Sequence, residues 1–178
     1  MSATVPPDPT PATPDHGGAI APQVQVRLGQ GADAALVSAW LDHIAPLPVP
    51  AARARQLMLG ELLAQSGRGI CLLACDAPDG GGLLACLPAA LLPSLELAGF
   101  AACASEWWVR PELDGATRRA CLEACCATLA DWGRAHGIRH ALLAPGLVAG
   151  HGGAPPGFCL HVNGMWHRSL VPTAKVLG

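Results

Sequence analysis

Residues 104–144 read ASEWWVRPELDGATRRACLEACCATLADWGRAHGIRHALLA, and they hold a strand end, a turn, a long helix and the start of another strand. Leu122, Cys125, Cys126, Leu129 and Trp132 recur at i, i+3, i+4, i+7 and i+10. That spacing puts them on one face of a helix over residues 116–136. Arg118, Glu123, Asp131 and Arg134 are left for solvent or the helix start, and Gly137 supplies a C-terminal stop. Residues 100–109 read as the strand before the helix, with Pro111 and Gly115 in the turn, and residues 138–144 as a buried strand after it.

On the N-terminal side, residues 23–28 alternate polar and apolar and predict a half-buried strand. Leu36, Val37, Trp40, Leu41 and Ile44 then mark an amphipathic helix from residue 32, ended by Pro46, Pro48 and Pro50. A second helix from residue 51 sets Leu57, Met58, Leu62 and Leu63 on one face and closes at Gly67 and Gly69. The apolar runs 70–75 and 83–87, separated by a turn at 76–82, signal a hairpin. Residues 88–99 fit neither period and are read as an apolar connection. On the C-terminal side, residues 145–157 form a Gly/Pro loop, and 158–171 a hairpin turning at Asn163-Gly164. Hairpins mixed with a strand–helix–strand crossover imply an α/β or α+β fold around a mixed sheet.

Apolar residues make up 51% of the chain and charged residues 13%. Every apolar run is broken well before the ~18 residues a spanning helix needs, so the chain reads as soluble, with no membrane partner. Residues 1–22 are Pro/Ala-rich and aperiodic, the signature of a disordered tail; residues 23–178 are one domain's worth. The start lacks the basic and apolar regions of a secretory signal, so a cytoplasmic location is expected. Ten Arg, one Lys and a formal charge of −2 give no basic patch dense enough for nucleic acid. The eight Cys fall mostly in apolar runs and on the helix seam, as small buried hydrophobes do. Without a C-x-x-C pair, no metal site is expected.

Val109, Arg110, Pro111, Glu112 and Gly115, with Trp132-Gly133-Arg134-Ala135-His136-Gly137, resemble the cofactor core of the GNAT superfamily of N-acetyltransferases. There a strand ends in a Val-x-Pro-Glu-like turn, a loop crosses the diphosphate of acyl-coenzyme A, and a helix follows. The order of elements matches too, so the resemblance spans about residues 23–171. It implies a central mixed sheet flanked by helices on both faces. It further implies acetyl-CoA or another acyl-CoA as co-substrate, and an amine of a small molecule or protein as acceptor. The co-substrate contacts implied are Trp108, Val109, Arg110, Asp114, Gly115, Ala116, Thr117, Arg118 and Arg119.

The family loop, Arg or Gln, two residues, Gly, one residue, then Gly or Ala, falls here on Asp114, Thr117 and Arg119, and none of the three matches. Such a loop works through backbone N–H groups at a helix N-terminus. A carboxylate about 4 Å from a phosphate costs roughly 1 kcal/mol in water and roughly 4 at an effective dielectric of 20. Asp114 reads equally as a helix cap, with Arg110, Arg118 and Arg119 as compensating charge.

Amine attack on a thioester calls for a base, and in this family it commonly comes from the strand before the loop. Glu106 is the ionisable side chain there, and flanking by Trp107 and Trp108 would raise its pKa; the other reading is an ordinary solvent-facing strand Glu. The family's usual acid is a Tyr, and this chain contains none. His151, His161, His167, Ser169 and Cys159 are the stand-ins. Loss of both loop and Tyr leaves a second expectation, a GNAT-like protein without catalysis that serves as a binding or regulatory partner. An exposed edge in the closing hairpin would permit a homodimer.

Overall fold

The apolar run after Gly69 is buried on both sides, and this fixes where the helices lie. In the computed structural model, which describes residues 24–76, 82–149 and 153–171, β2 (Gly69–Cys75) is fully buried. Ile70, Leu72 and Ala74 face Leu122, Cys125 and Leu129 of α3 (Gly115–Ala135). Cys71, Leu73 and Cys75 face Val37 and Leu41 of α1 (Ala34–Ile44) and Leu59 and Leu63 of α2 (Val49–Leu63). A strand covered on both faces has no need of polar alternation, hence the unbroken run. The tail at residues 1–22 and His151 lie outside the described residues.

The other strands are β1 (Gln25–Leu28), β3 (Leu83–Ser94), β4 (Gly99–Ala104), β5 (Trp108–Val109), β6 (His140–Leu143), β7 (Cys159–Leu160) and β8 (Trp166–Ser169). They form one sheet in the order β1-β2-β3-β4-β6-β8-β7, with β5 paired to β3. Every pairing is antiparallel except β4 with β6, which α3 connects as a parallel crossover. This is the mixed α/β class expected, with helices on both faces.

Three readings change. Residues 88–94 are not a connection but the second half of β3. Their pattern was obscured by Pro88 and Pro93, which a strand accepts only where no ladder bond is needed. Pro93 lies past the end of the β2 ladder, where β3 is paired on one side only. In α2 the packed stripe is Leu59 and Leu63, with Leu62 beside them, whereas Leu57 and Met58 are exposed. Leu57 is two positions before Leu59, and therefore about 200° around the helix from it. Residues 145–157 include one helical turn, α4 (Pro145–Val148), which Pro145 opens and which buries Leu147 and Val148.

The α3 seam is as its spacing predicts, with Cys121, Leu122, Cys125, Cys126 and Leu129 all buried. A Cβ at Gly133 would come within 2.6 Å of Leu170 Cδ1, so this glycine lets the helix lie close to the end of β8. Gly137 ends the helix at φ +72°. The last hairpin turns at Asn163-Gly164, with Gly164 at φ +81° and Asn163 Oδ1 accepting from Met165 N at 2.9 Å.

Candidate active site

Pro88 and a miscount between two strands create the site. Ala90 pairs with Cys103, and Cys86 pairs with Trp108. Between those pairs β3 has three residues (Leu87, Pro88, Ala89) and the opposite segment has four (Ala104, Ser105, Glu106, Trp107), so one residue is extra. That is a β-bulge, and it forms opposite a proline that has no N–H to give a ladder. The strand read as continuous over 100–109 is therefore broken at Ser105–Trp107 into β4 and β5.

The break also opens the sheet. β4 and β6 run parallel as far as Ala104 and Leu143, and Ala144 N donates to Ala104 O at 2.9 Å. Beyond that point β5 stays with β3 alone among the described residues, while the chain after β6 turns into α4. The strands part at their carboxyl ends, next to the start of α3, the usual position of a ligand crevice in α/β sheets.

On the α1/α2 side of the bulge lies a cavity of about 470 Å3. Its walls are apolar residues of α1, α2 and their connection, among them Leu41, Met58, Leu59 and Leu62. Its floor is Cys86, Pro88, Ala90 and Cys103 of β3 and β4, and its rim is Ser105, Glu106 and Trp108. Glu106 is exposed, and Trp108 Nε1 donates to its Oε2 at 3.1 Å. Trp107 does not flank it as expected, because this ring packs into the core on the α3 face. Burial pushes the Cys103 thiol up, as contact with Cys71 and burial do for Cys86, whose sulfur lies 3.1 Å from that of Cys71. Both cavity thiols are therefore protonated, weak nucleophiles.

The first turn of α3 is differently arranged. Asp114 is the N-cap: its Oδ1 accepts from Thr117 N and its Oδ2 from the Thr117 hydroxyl, both at 2.8 Å. These bonds hold its carboxyl below the usual carboxylate range. A carboxylate of the chain itself thus occupies donors that would otherwise face an incoming anion. No side chain crowds Gly115, where a Cβ would meet nothing within 4 Å.

The three arginines named as compensating charge are engaged locally. Arg110 Nη2 donates to Leu83 O at 2.8 Å, and Arg118 donates to Leu113 O at 2.7 Å and to Pro111 O. Arg119 pairs with Glu123 at 2.8 Å. Val109 packs on the α3 face while Trp108 packs toward α1 and α2. The nine residues read as co-substrate contacts are thus divided between the two faces and the first turn of α3.

None of the described acid candidates lines the cavity. His167 sits on β8, two strands from Cys103 on the same sheet face, about 10 Å away. It forms a cluster with His140, whose Nδ1 lies 3.0 Å from His167 Nε2, and with His161 at a ring separation of 5.3 Å. Burial, then His140 and His161, lower the pKa of His167. Ser169 and Cys159 are exposed on β8 and β7. Among the described residues no group of three or more His, Cys, Asp or Glu is arranged to hold a metal ion, and no helix is long and apolar enough to cross a membrane. Sequence reasoning missed Arg55, Met58, Cys103 and Ser105 as cavity residues; Pro88, an interruption in an apolar run, was the available signal.

No family model matches the chain, and no curated protein matches it. Solved structures do. An integron cassette protein from the mobile metagenome of Cole Harbour Salt Marsh is 22% identical, with 84% of this chain and 92% of that one covered at a TM-score of 0.55. A GNAT family N-acetyltransferase from Escherichia coli in complex with CoA is 14% identical, with 83% and 82% covered at 0.55. The protein yncA of Salmonella typhimurium, solved with its cofactor acetyl-CoA, is 12% identical, with 85% and 96% covered at 0.54. With its parallel β4–β6 step, its parting strands and these likenesses, the chain has the GNAT acetyltransferase fold.

Proposed function

We propose that this protein is an acyl-CoA-dependent N-acyltransferase, one domain over residues 23–178, moving an acetyl group from acetyl-CoA to an amine in the cytoplasm. The observation that carries the reading is the bulge, which parts β5 from β6 and sets Glu106 at the rim of a cavity. The free edge of β5 suits the extended, amide-bearing arm of the donor, as strand edges suit peptides. Trp107 Nε1 is buried with no hydrogen-bond partner among the described residues, so a donor is left over at the bulge. The residues present fit this arm better than the diphosphate, for which Gly115 and Ala116 offer backbone but Asp114 adds a negative charge.

The chemistry assigned to the residues is direct transfer. Glu106 takes a proton from the bound ammonium, directly or through a water, and the freed amine attacks the thioester carbonyl. The C–N bond forms, the C–S bond breaks, the attacking nitrogen gives up its second proton to water in the crevice, and the thiolate leaves into that crevice, where it is solvated and takes up a proton. The raised pKa values of Cys86 and Cys103 argue against an acyl group parked on a cavity thiol.

Thermal denaturation with and without acetyl-CoA tests the reading, because a ligand at 100 times its dissociation constant adds about 2.7 kcal/mol of stability. A rise in melting temperature is expected, and none at millimolar acetyl-CoA would sink the enzyme. A binding or regulatory protein without catalysis is the second reading, favoured by one observation, the Asp114 carboxylate in the first turn of α3. It stands if neither the native chain nor Asp114→Asn responds to acetyl-CoA.

A further inference from the structure

The cavity at Glu106 has a composition that selects its occupant. Of its fifteen lining residues only Arg55 and Glu106 carry a full charge. Arg55 is already committed: its Nη2 lies 2.6 Å from Asp42 Oδ1, its Nη1 donates to Ala45 O at 2.8 Å, and its side chain is only 15% exposed. It fixes the α1–α2 connection and has little left for a ligand. Glu106 makes no ion pair with the protein among the described residues; its hydrogen-bond partner is the neutral indole of Trp108. The site therefore offers one unneutralised anion beside an aromatic ring, a pairing that favours a single ammonium. Apart from Arg55, Ser105, Glu106 and Trp108 the lining is Leu, Met, Pro, Ala and Cys. A volume of about 470 Å3 lies within the ~300–1,000 Å3 typical of small-molecule sites.

We propose that the acceptor is a small amphipathic monoamine, one ammonium on an uncharged apolar body, of the alkylamine or arylalkylamine class. This rests on the N-acyltransferase reading of the same site. The cationic head is held at the rim by Glu106 and Trp108, with the apolar body against Leu41, Leu59 and Leu62. A second ammonium, as in a polyamine or an aminoglycoside, loses its hydration among apolar walls with no counter-charge. A free amino acid brings a carboxylate whose nearest cation, Arg55, is held by Asp42. A peptide brings an amide at every residue, and the lining has few polar partners for them.

The test is calorimetric titration of the intact protein with phenethylamine, hexylamine, spermidine and lysine, first without a donor and then with CoA present, followed by acetyl transfer from acetyl-CoA to each. Phenethylamine and hexylamine are expected to bind at least tenfold more tightly than spermidine or lysine. Glu106→Gln and Met58→Lys, the latter at an exposed position, should each weaken monoamine binding about tenfold. Met58→Glu supplies a second anion and should admit 1,6-diaminohexane. Equal or tighter binding of spermidine or lysine overturns the proposal, as does monoamine affinity indifferent to both Glu106→Gln and Met58→Lys, or no amine binding with CoA absent and present. Monoamine binding without any response to acetyl-CoA sustains the ligand class and sinks the enzyme. Transfer to spermidine alone does the reverse.

Discussion

Glu106 and Asp114 are two carboxylates on the same short stretch between β4 and α3, and they are treated in opposite ways. Asp114 is folded onto the helix it precedes, with the backbone and hydroxyl of Thr117 as its donors. Glu106 sits on a bulge, where the ladder has lapsed, and takes one neutral indole N–H. The difference is made by the backbone around each. A helix start has spare N–H groups for any acceptor within reach, whereas a bulge offers its side chain to whatever lies in front of it. One carboxylate is taken up by the helix start, and the other is left facing the cavity.

The largest effect expected comes from removing the available charge. Glu106→Gln should lower acetyl transfer about 100-fold or more with the melting temperature unchanged, since Glu106 is exposed and outside the core. Unchanged turnover in a steady-state assay would take Glu106 out of the mechanism and erase the contrast. Next is Asp114→Asn, which keeps a good helix cap while deleting the charge. Acetyl-CoA affinity, measured by titration, should rise about tenfold, within the roughly 1–4 kcal/mol that a carboxylate near a phosphate costs. Asp114→Ala should instead lose about 1 kcal/mol of stability in urea unfolding. If Asn brings no gain, the first turn of α3 does not meet the diphosphate.

The smallest effect concerns the histidine cluster on the far side of the same sheet face. His167 has its pKa lowered by burial first and by His140 and His161 next, with Glu96 3.8 Å from His161 as the nearby carboxylate. A depressed histidine favours its neutral form, so the unfolded chain takes up protons first as pH falls below about 6.5. Stability should therefore be flat above that pH and decline below it, down to the lowered pKa of the folded state. His167→Gln should flatten the decline in urea unfolding followed from pH 7.5 to 5.5. An unaltered slope would assign the acid loss to other groups.

What was legible in the sequence was local. The α3 seam declares itself through helical spacing, and β2 through an unbroken apolar run. Asp114 was recognisable as a cap from its place before the helix. The second half of β3 was hidden because Pro88 and Pro93 argue against a strand until its neighbours are known to leave those positions unpaired. Leu57 and Met58 were assigned inward because the spacing of α2 admits more than one stripe, and packing against β2 decides between them. Glu106 could be singled out as a strand carboxylate, but its setting depends on counting residues against β3. The cavity draws on α1, α2, β3 and β4 at once, and no single stretch of sequence describes it.

The extra residue between Ala104 and Trp108 also sets the phase of everything after it. In an uninterrupted strand Cys103 and Trp108, five positions apart, would point to opposite faces; here both line the cavity. The bulge inverts parity, and a one-residue shift in a strand exchanges its two faces. Deleting Ser105 would leave three residues on each side between the pairs Ala90–Cys103 and Cys86–Trp108, so Trp108 would stay on the cavity face and Val109 on the α3 face by plain alternation, with the bulge gone. For this fold a single-codon deletion would remove the break that opens the sheet while leaving each side chain on its own face, which a point substitution at the site does not achieve.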